Sequence, residues 1–302
     1  MAAAALRPPP GDRFASVRPH WPLIVGLLAL AVPTIATLGT QVWTRDIGAH
    51  GPIVLATGLW LLATQRSGMD AARPGAPWQV AALTVPALAL YVFGRAYDFI
   101  SLEAGAAYLV VLAAALRFVG WRTMASNWFP LLYLAFVIPP PGWIIDRITA
   151  PLQMFISYVV AGGLGALGFP ITRDGVTMRV AQYQLLVEDA CSGMNSIIGL
   201  TAITLLYIYL MHRSSWRYAL MLVLFILPIA VAVNMIRVTT LVLLTYYYGD
   251  AVAQGFLHVT AGMALFMVAL LLVFALDAGL QRLGAGHRAR RATVRETVEV
   301  AA

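Results

Sequence analysis

The chain contains no lysine; its twenty basic residues are all arginine. Charge of either sign is scarce, at 11% of 302 residues, against roughly a quarter in soluble domains. Cysteine occurs once, as Cys191. A single thiol excludes an intramolecular disulfide, a cysteine-only metal site and haem attachment through paired cysteines. The low polarity excludes a disordered chain, and the lone cysteine excludes a disulfide-rich secreted scaffold. What is abundant is apolar: 61% of residues are hydrophobic and the mean hydropathy is +0.80. A soluble globule of this length has no interior large enough for that surface. The remaining class is an all-α polytopic membrane protein. The net charge of +7 and pI near 9.9 would suit nucleic acid in another setting. With no basic soluble domain to do the binding, no nucleic-acid partner is expected, and the arginines read as markers of cytoplasmic loops.

A bilayer core takes about 20 apolar residues per helix. Apolar stretches lie near 21–40, 52–65, 79–97, 100–119, 126–145, 151–169, 191–211, 218–247 and 256–277. With both termini cytoplasmic, as Arg7, Arg13, Arg18 and the five arginines from Arg282 to Arg295 indicate, the number of crossings must be even. The stretch 151–169 carries Gly162, Gly163, Gly165 and Gly168 and begins at Pro151. Because glycine and proline weaken a plain helix, it is read as interfacial or re-entrant, leaving about eight spans. Fourteen of the twenty arginines then fall inside, as the positive-inside rule expects. The first span is expected to persist as an anchor, since no clear cleavage site follows it. Residues 1–280 read as one integral membrane domain and 281–302 as an arginine-rich, disordered cytoplasmic tail.

The polar and apolar residues from Phe169 to Val187 alternate around Asp174-Gly175, the pattern of a short β-hairpin, placed outside by the arginine count. It runs into Glu188-Asp189-Ala190-Cys191-Ser192-Gly193-Met194-Asn195. Cys191 is thus expected near the first turn of a helix, where backbone N–H groups and the positive helix end favour a thiolate. Position alone would equally suit an inert buried thiol, with Asp189 or Ser192 as a helix cap. Arg237 lies inside the long apolar stretch 218–247, where an arginine is costly and marks function unless it snorkels. Asn234 shares its helical face. His258 opens the last span. By topology Cys191 and His258 share the outer face, with Arg237 deeper. Nucleophile, acid–base partner and positive clamp make a workable acyl-transfer site. Glu188 or Asp189 would orient His258. One cysteine and one histidine leave a zinc site short of ligands, and no metal or other cofactor is expected.

Ala190-Cys191-Ser192-Gly193, then Asn234-x-x-Arg237, then His258, in this order across three late spans, resembles the exosortase/archaeosortase family of membrane cysteine transpeptidases. The resemblance covers about residues 20–280. It implies Cys191 as nucleophile, His258 as general acid–base and Arg237 as substrate or oxyanion stabiliser. Glu188, Asp189, Ser192, Gly193, Asn195 and Asn234 are expected to support them. It also implies the substrate: an exported, membrane-anchored protein with a C-terminal sorting signal, a Pro-Glu-Pro-like (PEP-CTERM) motif, a membrane helix and an arginine tail. Such a signal is cut at the outer face of the bacterial inner membrane through a Cys thioester, and the acyl group passes to an amine, another acceptor or water. Any exopolysaccharide-system partner is expected as a separate polypeptide. Gly193, Gly199 and Gly262 are candidates to line a groove for the substrate helix, though such glycines more often serve ordinary helix packing. The competing readings are a non-catalytic transporter or scaffold for export, suggested by the Gly/Pro-rich segment, and a purely hydrolytic intramembrane protease. Few charges besides Arg237 are expected inside the bundle.

Overall fold

The computed structural model describes residues 20–45, 48–64, 73–186, 196–211, 216–249 and 264–282. Among them are nine α-helices: α1 (Trp21–Thr37), α2 (Gly51–Thr64), α3 (Pro77–Ala96), α4 (Ile100–Ser126), α5 (Trp128–Leu134), α6 (Gly142–Ala166), α7 (Ser196–Met211), α8 (Trp216–Tyr248) and α9 (Ala264–Arg282). A π turn, Leu38–Val42, prolongs α1, and a 3-10 turn, Ala135–Val137, ends α5. Six segments are long and apolar enough to cross a bilayer; the shorter apolar helices are Gly51–Thr64, Trp128–Val137 and Ile198–Met211. Each long segment buries between 11% and 39% of its most apolar window inside the protein, so most apolar side chains face outward, as lipid contact requires. The chain is a polytopic all-α membrane protein.

Two sequence expectations shift. The stretch 126–145 is not one helix. It ends at Val137, and Pro139-Pro140-Pro141 separate it from α6, because proline restricts the residue before it to extended backbone. The stretch 151–169, set apart as interfacial or re-entrant, is the latter part of the unbroken 25-residue α6, which carries Pro151 inside it. By length and composition α6 is one of the six long segments.

The chain divides into two compact units, Met1–Thr44 with Trp60–Leu131, and Arg45–Leu59 with Leu132–Ala302. In the first, α3 and α4 pair closely around the turn at Asp98. A Cβ on Gly94 would stand 2.6 Å from the Glu103 backbone nitrogen, so only glycine permits that approach. The α4 chain bends at Gly120 (φ 72°, ψ 169°), where a Cβ would fall 1.8 Å from the Arg73 carbonyl oxygen. Near the α3–α4 turn sits a buried carboxylate the sequence reading did not anticipate. Glu103, 3% exposed, accepts from Thr34 Oγ1 (2.8 Å) and Arg95 Nη1 (3.0 Å). Arg95 also donates to Thr37 Oγ1 (3.1 Å).

In the second unit a three-stranded antiparallel meander, β1 (Ile171–Asp174), β2 (Thr177–Val180) and β3 (Tyr183–Leu186), replaces the expected hairpin. Asp174 pairs with Thr177, and Gly175 (φ 60°) occupies the first position of the two-residue loop, where a positive φ matches the strand twist. The second loop repeats this between Val180 and Tyr183, with Ala181 at φ 53°. An alanine there gives no glycine signal, which hid the third strand. Met178, Val180 and Leu185 pack with Ile156, Val160 and Leu164 of α6 and Val238, Leu241 and Val242 of α8. A second cluster joins Leu200 of α7, Ile226 and Val233 of α8, and Ala269 and Val273 of α9.

Candidate active site

At 33 residues, α8 is roughly 50 Å long, more than a bilayer core of about 30 Å needs. Its two halves are packed differently. The first half lies against α7 and α9. Tyr207 of α7 and Tyr218 of α8 both donate to the Asp277 carboxylate of α9, each at 2.5 Å, and Gln281 adds a bond at 2.9 Å. Further along, Leu200, Val233, Ala269 and Val273 form one cluster, with Leu265 and Phe266 against it. Leu200 is in the opening turns of α7, and Leu265 and Phe266 open α9. The described parts of both helices therefore begin near the level of Val233. The second half of α8, from Met235 to Leu243, lies under α6 and the sheet.

Asn234 and Arg237 occupy the junction. Val233 belongs to one cluster and Val238 to the other. Three residues apart on a helix, Asn234 and Arg237 share a face, and each is 5% exposed. This burial disfavours snorkelling, which would leave the guanidinium in contact with headgroups or water. Here the charge is held among side chains of the protein, at the depth where the described parts of α7 and α9 begin.

Glu188, Asp189, Cys191, Ser192, Gly193 and Asn195 lie outside the described residues, as do His258, Gly262 and residues 283–302 of the tail. The ends of the two connecting segments are described. Residues 187–195 join β3, whose Leu185 packs beside Val238, to α7, whose Leu200 packs with Val233. The cysteine segment is thus tethered to α8 on both sides of Arg237. Residues 250–263, with His258, run from the end of α8 to the start of α9. Among the described residues no three His, Cys, Asp or Glu side chains come together as a metal site.

A sequence model of the transmembrane exosortases matches residues 42–275. The chain belongs to the transmembrane exosortase family. No curated protein and no solved structure shows significant similarity to it. The match spans the sheet, the Arg237 junction and the helices on either side of the Cys191 and His258 segments.

This exosortase also places groups that the sequence reading passed over. Glu103 and Asp277 are buried acids, the few charges found with Arg237 inside the described helices. His50, set aside as a loop residue, is half-buried in the turn before α2. Its Nε2 lies 3.2 Å from the Phe136 carbonyl oxygen. Burial pushes the imidazole below its usual pKa, while the Phe136 carbonyl acts in the opposite direction. A Cβ on Gly199 would stand 3.4 Å from His50 Cβ and 3.8 Å from Nδ1, ordinary contact distances, so Gly199 packs α7 beside His50. Beside these residues is an apolar cavity of about 440 Å³, lined by Phe136, Ile138, Ile145, Leu152, Ile198 and Leu227 among others. Ile198 and Gly199 are neighbours on α7, so cavity and imidazole flank the same turn.

Proposed function

We propose that this exosortase is a cysteine peptidase and transpeptidase of the bacterial inner membrane. Its substrates are exported, membrane-anchored proteins with a C-terminal PEP-CTERM-like motif, a helix and an arginine tail. Residues 1–280 act as one domain, both termini are cytoplasmic, and cutting occurs on the outer side. The observation that carries this reading is the buried Arg237 at the depth where the described parts of α7 and α9 begin. Those are the helices that the Cys191 and His258 segments enter.

In this mechanism the Cys191 thiolate attacks the carbonyl of the scissile peptide bond. The new C–S bond pushes the carbonyl electrons onto oxygen. The oxyanion is met by Arg237, whose planar guanidinium offers parallel N–H donors in a low-dielectric site. His258 delivers a proton to the leaving amine as the C–N bond breaks, and the thioester remains on Cys191. An amine or water then attacks the thioester, gives its proton to His258 and releases the thiolate. Glu188 or Asp189 orients His258, Asn234 supports the Arg237 face, and Ser192, Gly193 and Asn195 shape the turn around the nucleophile. A separate exopolysaccharide-system protein is a partner outside this chain.

The test is co-expression with a substrate bearing motif, helix and arginine tail. Wild type is expected to remove the tail and Cys191→Ala to leave it intact at equal membrane abundance. Equal cutting by both would leave the non-catalytic transporter or scaffold reading in its place. Adducts formed only with supplied amines would separate transfer from plain hydrolysis.

A further inference from the structure

The apolar cavity beside His50 has a backbone cause. Phe136 lies in the 3-10 turn Ala135–Val137, and its carbonyl would ordinarily accept from residue 139 or 140. Both are prolines and carry no N–H. Ile138 is extended before Pro139, at ψ 117°, and a new helix begins only at Gly142. The break leaves a space walled by both sides of the proline run, by Ile198 of α7 and by Leu227 of α8. The Phe136 carbonyl, orphaned by the prolines, accepts instead from His50 Nε2 at 3.2 Å. Without that donor a bare carbonyl would stand beside an apolar space, at a cost. Thr149 is the one polar side chain in the lining.

We propose that one acyl chain of a bilayer phospholipid occupies this cavity, and that His50 is a positioning residue that fixes its wall through the Phe136 carbonyl. The site needs neither Cys191 nor His258. Size selects the occupant. A helical turn about 10 Å across with a pitch of about 5.4 Å fills roughly 420 Å³, so about 440 Å³ cannot take a membrane-spanning helix. It does take a single hydrocarbon chain. Wall chemistry excludes water, which needs polar partners on several sides. Lipid tails are as apolar as the lining, so the gain is in dispersion contacts that an unfilled space would forfeit. Position supplies the source. Leu132 (51% exposed), Ile148 (67%) and Leu227 (54%) join the lining to the outward apolar faces of α5, α6 and α8. The cavity is therefore continuous with the lipid-facing surface, and a chain enters it sideways from the bilayer.

The test reconstitutes the full-length protein in dioleoyl phosphatidylglycerol vesicles, extracts it again in a maltoside detergent and counts bound phospholipid by native mass spectrometry. Wild type is expected to keep a single lipid through the second extraction. Ala135→Phe and Thr149→Phe fill the space from opposite sides of the proline run, and each is expected to lose that lipid. Added phosphatidylglycerol should raise the thermal midpoint of wild type and leave that of either filled variant in place. His50→Ala is expected to lose the lipid, and His50→Gln, whose amide nitrogen can still donate to Phe136, to retain it. Wild type stripped of all lipid would overturn the proposal without any variant, as would equal retention by wild type and the filled variants. Wild type that binds no lipid but is stabilised by a sorting-signal peptide would give the cavity to a substrate side chain instead. Equal retention by His50→Ala and His50→Gln would remove His50 from the wall.

Discussion

The two halves of α8 bury the same kind of residue against different partners. The first half, through Ile226 and Val233, packs on helices α7 and α9; the second, through Val238, Leu241 and Val242, packs on α6 and the sheet. The first is an ordinary membrane arrangement, closed at its far end by the Asp277 carboxylate under two tyrosine hydroxyls. The second sets the helix against α6 and a small sheet, whose strands satisfy one another's backbone hydrogen bonds. Neither half needs a charge at its boundary. Arg237 is there at an energetic cost, at the point where two segments carrying candidate reacting groups come back to the bundle. The polar groups in the first half are those of a clamp, and the one at the junction is, in the proposal above, that of a site.

The largest expected effect breaks the junction itself. Arg237→Lys keeps the charge and loses the planar fork. Processing is expected to fall by about a hundredfold, the scale of losing an oxyanion donor, with membrane abundance near wild type. Wild-type processing by the lysine variant would reduce Arg237 to a structural charge and make the two halves of α8 equivalent.

Next comes the sheet side. Met178 is fully buried between α6 and α8. Met178→Ala is expected to cost about 2–5 kcal/mol, read as a lower thermal midpoint in detergent. It should also slow processing per folded molecule, because the sheet anchors one end of the cysteine segment. The contrasting change is Asp277→Ala at the clamp. Removing the carboxylate takes one acceptor from each tyrosine hydroxyl, with the Asp277 backbone carbonyl still 3.2 Å from that of Tyr218, and costs about 1–3 kcal/mol. Surviving folded molecules are expected to process at the wild-type rate. If the clamp variant loses activity as steeply as the sheet variant at matched folded amounts, the division between clamp and site is wrong.

The same division sets how much could be read from the sequence. The class and most of the apolar segments were legible, and Cys191, Arg237 and His258 could be named as candidates because a reactive or charged residue is conspicuous in an apolar sequence. Arg237 stood out at once within an unbroken apolar stretch. Glu103 was hidden in Ser101-Leu102-Glu103, beside a turn, where an acid looks like an ordinary interface residue. Its partners Thr34 and Arg95 come from other helices, and only tertiary structure pairs them. His50 was invisible for the same reason: its meaning depends on Phe136 and Gly199, 86 and 149 positions away. The α6 boundary was misjudged because glycine and proline propensities measured in water are overridden where the helix is the only way to satisfy the backbone.

The smallest expected effect sharpens the account of the sheet. Ala181 takes a positive φ of 53° at the loop position that Gly175 fills in the neighbouring turn. A left-handed conformation costs a non-glycine residue about 1 kcal/mol, and glycine loses part of that gain through the greater freedom of its unfolded chain. Ala181→Gly is therefore expected to raise the thermal midpoint slightly, by a few tenths of a kcal/mol. Processing should not change, since β2 and β3 keep their register. A clear loss of stability would mean that the alanine methyl makes a favourable contact outweighing the backbone strain. The sheet's second turn would then be held by packing and not, as the first is, by backbone conformation.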